Sequence, residues 1–347
     1  MAARTSPAPG WTMPAEWSRH GATWLAWPHN TRDWPGRFAP IPWVYAEIVR
    51  QVAKAETVRL LVEDAAHEAK VRRILGRAGV DPGPVDLRRW PTDRVWTRDS
   101  GPLFVTGAQG RAIVDFRFNA WAKYPDFTRD ARNPARAAKA LKVPLLDAGK
   151  AVLEGGAIDV NGRGSILATE ECLLDPKVQV RNPGFGAAGY EALFRSALGA
   201  GNTIWLGRGI AGDDTHGHVD DFCRFTDART LVLARQEDPR DPDHAALEEN
   251  RERLEGARLE DGSRPAVVRL PMPAPVVFDG QRLPASYANF YICNAAVLVP
   301  TFNDPQDRIA LGILAELIPD RPVVGIHALD LVWGLGTLHC LSQQEPA

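Results

Sequence analysis

The chain has 347 residues, 45% of them hydrophobic, enough to bury a sizeable core as one large domain or two ordinary ones. Its 41 Lys and Arg against 43 Asp and Glu leave a net charge of −2, which gives no electrostatic attraction to nucleic acid or an anionic membrane. No apolar run approaches the ~18 residues a membrane span needs, and Cys172, Cys223, Cys293 and Cys340 stand singly, forming neither a disulfide framework nor a CxxC metal pair.

The first ten residues lack the charged and apolar pattern of a signal peptide, so a soluble cytoplasmic protein with reduced thiols is expected. Residues 1–12 are expected to form a disordered tail. No composition break marks a later boundary, so residues 13–347 read as a single domain. Ala22 to Pro28 reads as a buried strand stopped by proline, and helical patterning runs from Trp43 to Ala55. A strand (Thr57 to Val62), a helix capped by Asp64 running to about Arg77, and a strand (Val85 to Trp90) follow. A loop, Thr92 to Val95, then delivers Trp96-Thr97-Arg98-Asp99-Ser100-Gly101-Pro102.

From there a unit recurs. Short hairpins are expected at 103–116, 157–169, 221–234 and 290–300, each with turn chemistry between apolar strands. Helices are expected between them at 133–141, 187–198, 243–254 and 304–317, the last opening with an Asp304 cap and Pro305 at its first position. Ala328 to Leu335 reads as a buried strand leading into Gly336-Thr337-Leu338-His339-Cys340. Gly334 and Gly336 let backbone pass where side chains would collide, so Cys340 can reach the lip of a cavity.

The residues at the head of each hairpin are polar: Asp99, Glu154, His218 with Asp220, and Asn289. They fall at intervals of 55, 64 and 71 positions, and Cys340 follows after 51 more. A unit of this size suggests an array closed on itself, with equivalent strand starts facing one axis. That geometry would gather the five positions into one site.

Taken alone, Cys340 fits an inert buried thiol as well as a nucleophile. In extended backbone His216, His218 and Asp220 share one face, which keeps a metal reading open, though a fourth ligand is missing. Trp96 and Asp99 suit a flat cation: an indole face stacks on its plane while a carboxylate takes paired N–H donors. A thiol, a histidine and carboxylates at one axis suit sulfur attack on a guanidinium carbon. His218 would protonate the leaving ammonia and then deprotonate water, with Glu154 holding the imidazole. His339, next to the thiol in a strand, would face the other way and serve the core. Cys172, Cys223 and Cys293 read as small apolar residues on strands.

With these motifs assembled, the chain resembles the agmatine deiminases and, more distantly, the peptidyl-arginine deiminases of the guanidino-group-modifying superfamily. The match runs through Met13-Pro14-Ala15-Glu16-Trp17, Trp27-Pro28, Trp96 to Pro102, Glu154-Gly155-Gly156, Gly217-His218-Val219-Asp220, Asn303 to Asp307 and His339-Cys340. The resemblance implies an α/β fold, a five-bladed αβ-propeller (pentein) with pseudo-fivefold symmetry. It implies Cys340 as nucleophile, His218 as general acid and base, Asp99 and Asp220 gripping the guanidinium, and Glu154 in the same catalytic group. The reaction it implies passes through a covalent S-alkylthiouronium, releases ammonia and uses no cofactor or metal. Agmatine would yield N-carbamoylputrescine, a step toward putrescine and polyamines; a peptidyl-arginine or other guanidine substrate is the alternative. For agmatine, Trp96 would cover the methylenes and Asp214 would meet the far ammonium. The partner expected is thus a small cationic guanidine, with room left for a homo-oligomer. One departure stands near the cysteine, where Leu335 and Thr337 occupy a stretch that is richer in glycine in well-studied members.

Overall fold

A computed structural model describes residues 4–5 and 10–347. Most of the tail expected over residues 1–12 lies outside the described residues. Of the rest, Arg4–Thr5 pairs in parallel with Leu145 and Leu146, and Thr12 exchanges backbone hydrogen bonds with Thr106.

One arrangement recurs: an antiparallel strand pair, a helix, and a returning strand laid parallel to the second. Leu103–Gly107 pairs with Gly110–Arg117, the helix Asn133–Leu141 crosses over, and Leu145–Val152 returns beside Gly110–Arg117. Asp159–Val160, Ser165–Thr169, the helix Ala187–Leu198 and Asn202–Leu206 repeat it. So do Cys223–Phe225, Thr230–Arg235, the helix Pro242–Gly256 and Ala266–Pro271. Tyr291–Ile292, Val297–Thr301, the helix Pro305–Leu317 and Val323–His327 repeat it again. The fifth set joins the two ends of the chain. Gln343–Pro346 pairs antiparallel with His20–Ala26, the helix Ile41–Val52 follows, and Thr57–Val62 returns parallel, with Val85–Arg89 added outside it.

The hairpins and helices expected from the sequence are therefore present, several at the expected ends. Asp64 caps its helix by accepting from the His67 N–H at 2.8 Å, and Asp304 and Asp307 form a reciprocal capping box ahead of Pro305–Leu317. Thr57–Val62 was expected as a strand; the other four returning strands are what the pattern did not reveal. A parallel pair requires a crossover helix, and the returning strands Asn202–Leu206, Ala266–Pro271 and Val323–His327 lie at the edge of their sheets with mixed burial. A strand without a wholly buried face carries no clean two-residue alternation.

The stretch Ala328 to Leu335 is not a strand. Leu331–Gly334 is a 3₁₀ turn, and Leu335 is left-handed at φ 69°. Its backbone groups are satisfied locally, Val332 N–H to Ala328 O at 2.8 Å and Leu335 N–H to Val332 O at 2.9 Å. The Trp34 indole donates to the Leu331 carbonyl at 2.9 Å, taking an acceptor that strand pairing would need. The run is apolar because the turn packs against the core. Among the described residues, no helix is long and apolar enough to cross a membrane.

Candidate active site

Cys340 sits in a turn after Gly336, 7% exposed. A Cβ on Gly336 would lie 2.8 Å from the Trp96 ring and 3.0 Å from the Cys340 Cβ, and one on Gly334 would lie 2.6 Å from the Trp34 indole nitrogen. Both glycines are thus required by close approach, as the sequence suggested. The Cys340 Sγ lies 3.8 Å from Asp220 Oδ2 and accepts from the Asn289 side-chain N–H at 3.1 Å.

The other hairpin heads converge on the same point. Asp99, on the short helix Thr97–Ser100, accepts from the Gly156 N–H at 3.0 Å and from the Trp121 indole at 2.9 Å. Its carboxylate is 3.9 Å from His218 Nδ1, and the Asp220 carboxylate is 4.0 Å from the same nitrogen. Gly156 lies among the three: a Cβ there would be 2.5 Å from His218 Nδ1, 2.9 Å from Asp99 Oδ1 and 3.1 Å from Asp220 Oδ2. Glu154 is fully buried, with a carboxylate oxygen within 4.8 Å of His218 and of Cys172. It makes no hydrogen bond to the imidazole; Arg181 Nε donates to it at 3.1 Å instead. His218's ring nitrogens and Asp220 Oδ1 make no hydrogen bond within the protein, which leaves polar atoms free to meet a ligand.

A cleft of about 80 Å³ leads to these groups. Cys340, Asp99 and Trp96 line it with Trp121, Tyr124 and Leu335, and so do the charged residues Asp33, Arg94 and Asp214. Asp214 is already engaged, by the Lys123 ammonium and by the Tyr124 hydroxyl at 2.6 Å. Asp33 accepts from Arg94 at 2.6 Å through one oxygen, while its other oxygen makes no hydrogen bond.

The charges are tuned by this crowding. Burial pushes the Asp99 carboxyl up to about 6, with His218 opposing and Asp220 and Glu154 adding to the rise. Burial would lower His218, yet the Asp99 and Asp220 charges carry it well above the ordinary imidazole range. For Asp220 burial works upward, but the hydrogen bond and charge of His339 bring it below the usual carboxylate range. Burial, then Asp220, Asp221 and Asp99, push the Cys340 thiol well up, with Asn289 opposing. Both directions favour an imidazolium beside a protonated thiol, and the surrounding carboxylates offer negative charge for a cation to neutralise.

Some expectations need correction. His216 does not join His218 and Asp220; at φ 65° its ring turns out to Asp175, at 3.0 Å. His339 is not a core residue facing away from the site. Residues 337–341 form a turn, and the imidazole bridges Asp220 (Nδ1, 2.6 Å) and Glu16 (Nε2, 2.8 Å). Cys172 lies on the short helix Glu170–Leu174 beside His218, not on a strand.

Three supporting residues went unassigned in the sequence. Glu16 takes His339, Arg98, Arg224 (3.1 Å) and the Ile292 N–H (2.8 Å). Burial alone would raise its pKa, but Arg224, His339 and Arg98 hold it well below the ordinary range. Asp213 accepts from the N–H groups of Gly217 (2.7 Å) and His218 (3.0 Å), fixing the loop that presents the imidazole. Asn289 faces the sulfur. Spacing had marked Asn289 as a hairpin head, but only the fold shows what it touches.

The model of the Porphyromonas-type peptidyl-arginine deiminase family matches residues 12–346. The agmatine deiminase of Stutzerimonas stutzeri (strain A1501) is 34% identical over 365 residues, covering 97% of this chain and 96% of its own. The solved agmatine deiminase of Enterococcus faecalis superposes with a TM-score of 0.92 at 28% identity, over 99% of both chains. An amidinotransferase from Microseira wollei, 12% identical, shares the mixed α/β fold at a TM-score of 0.52 over 96% of both chains. The chain belongs to the Porphyromonas-type peptidyl-arginine deiminase family.

Proposed function

We propose that this chain deiminates agmatine, releasing ammonia and leaving N-carbamoylputrescine on the route to putrescine. The observation that carries the reading is the pair of buried carboxylates, Asp99 and Asp220, flanking His218 beside the Cys340 sulfur. Such an arrangement would repel the oxyanion of an acyl-transfer reaction and suits a planar cation. The guanidinium settles between the two carboxylates, and its charge lowers the thiol's pKa so that the proton leaves to solvent. The thiolate then forms a C–S bond to the guanidinium carbon. His218, as imidazolium, gives its proton to one nitrogen, and the C–N bond breaks to release ammonia and leave an S-alkylthiouronium. The neutral imidazole next takes a proton from water as the oxygen adds to carbon. Collapse breaks the C–S bond and returns the thiolate, and the hydroxyl proton leaves to solvent as the neutral ureido product is freed. Glu154 acts with Arg181 as the buried ion pair behind the imidazole.

Agmatine's tail runs out along Trp96 toward the charged end of the cleft. Both Asp214 and Asp33 can meet its ammonium, and the unpaired oxygen of Asp33 is the more available, since Asp214 already holds Lys123 and Tyr124. The recurrence of one strand order in five sheets supports reading the fold as a five-bladed αβ-propeller about a pseudo-fivefold axis, residues 13–347 forming one domain. Four unpaired cysteines suit a cytoplasmic setting.

Steady-state ammonia release with agmatine, arginine and a C-terminal arginyl peptide tests the substrate. The highest kcat/KM is expected for agmatine, and a higher value for either arginine compound overturns that choice. Mass spectrometry after mixing with agmatine should find the amidino adduct on Cys340. Turnover that persists in Cys340→Ala overturns the chemistry.

A further inference from the structure

Among the described residues, two bulky apolar side chains hang from left-handed backbone, Trp121 at φ 59° and Leu335 at φ 69°, and both line the same cleft. That conformation crowds a bulky side chain and suits glycine, so a large residue kept there marks a place where the side chain itself is needed. For Trp121 the need is visible, since its indole donates to Asp99 at 2.9 Å. Leu335 has no polar group to offer, so what it contributes is shape. Its neighbours cannot supply that shape. A Cβ on Gly334 would lie 2.6 Å from the Trp34 indole nitrogen, and one on Gly336 would lie 2.8 Å from the Trp96 ring. Leu335 is therefore the one side chain that residues 334–336 present, and it packs, partly buried, against the core cluster that holds Trp34, Trp96 and Cys340.

We propose that Leu335 is a specificity-determining residue: it walls the cleft so that a guanidine on an unbranched alkyl chain enters, and one whose chain carries a carboxylate, amide or peptide branch is turned away. An apolar wall takes methylene groups out of water and gives a polar branch nothing to replace its hydration. The cations of the lining do not make up for this, because each already pairs with a carboxylate. Arg94 holds Asp33 at 2.6 Å and Asp126 at 3.2 Å, and Arg32 holds Asp126 at 2.8 Å. A branch bearing a carboxylate would have to compete with these pairs. One apolar contact of this size discriminates by about ten- to a hundredfold.

The choice among guanidines rests on the deiminase reading, whereas the wall on the approach to Cys340 does not. Leu335→Gly removes the side chain and suits the left-handed backbone. Ammonia release is followed from agmatine and from L-argininamide, whose branch is uncharged, so repulsion by Asp33 and Asp214 does not enter the comparison. The kcat/KM ratio of agmatine to argininamide should fall at least about tenfold in the variant, mainly through a gain for argininamide. In the substrate-free protein, alkylation of Cys340 by the bulky N-benzylmaleimide should quicken severalfold relative to alkylation by iodoacetamide. An unchanged kcat/KM ratio overturns the proposal, whatever the alkylation shows. Should Leu335→Gly fail to fold, Leu335→Asn, a polar side chain that tolerates the same φ, carries both measurements with the same directions expected. If the wild type releases no ammonia from either compound, the deiminase reading falls and the alkylation rates decide alone: a relative gain for the maleimide keeps the wall, and an unchanged ratio of rates removes it.

Discussion

Asp99 must be ionised to hold a guanidinium, and burial has moved its carboxyl up to about 6. Above that pH it is a carboxylate that grips the cation, and below it a neutral acid that does not. The pH profile of kcat/KM should therefore lose activity through an acid limb with its midpoint near 6. An acid limb that appears only below pH 5 would remove Asp99 from the gripping role. At the far end of the cleft Asp33 has its own carboxyl raised to about 6, by burial first, with Arg94 opposing. Asn at this position removes the charge that the tail ammonium would meet. Asp33→Asn should raise KM for agmatine about tenfold with kcat nearly unchanged. An unchanged KM would move the tail contact to Asp214.

Between Glu154 and Ala157 the chain makes one short turn, and its middle residue has the three reacting groups where its side chain would be. Gly156→Ala puts a methyl 2.5 Å from His218 Nδ1, closer than non-bonded atoms approach, so the imidazole or the Asp99 carboxylate must move. Misplacement of that size costs about 100-fold in kcat. The melting temperature should fall by a few degrees as well, because the methyl overpacks a site whose His218 and Asp220 side chains are fully buried. Activity within threefold of wild type would mean that His218 and Asp99 are not held where the reaction needs them. The 337–341 turn is the counterpart on the nucleophile's side. A sequence read as strand assigns His339 to the opposite face from Cys340, whereas a turn lets both side chains reach Asp220.

At the scale of the whole molecule, the two ends of the chain meet. Gln343–Pro346 pairs with His20–Ala26, and Glu16, from the first motif, reaches His339, Arg98 and Arg224 beneath the site. Glu16→Gln keeps the shape but leaves two buried guanidinium groups with less countercharge. Removing one partner from a buried ionic network costs about 3 kcal/mol or more. The variant should melt several degrees lower and lose kcat as His339 ceases to hold Asp220. A wild-type melting temperature in calorimetry would show that Glu16 does not tie the ends together.

Local chemistry was enough to give the hairpins, the caps at Asp64 and Asp304, and the polar residues at equal places in a repeating unit. Turn residues, cap residues and apolar alternation act within a few positions of one another, so they are visible in a chain read in order. The cluster of Asp99, Glu154, His218, Asp220 and Cys340 was legible for the same reason, because these polar residues stand at equivalent places of a recurring unit. The returning strands Asn202–Leu206, Ala266–Pro271 and Val323–His327 were not, since their place at a sheet edge leaves them half-exposed and without alternation. Nor was the place of Glu16 under His339, of Asn289 against the sulfur, or of Asp33 beside Arg94. Those contacts join residues 323, 51 and 61 positions apart, and only packing in three dimensions decides which buried polar atom satisfies which.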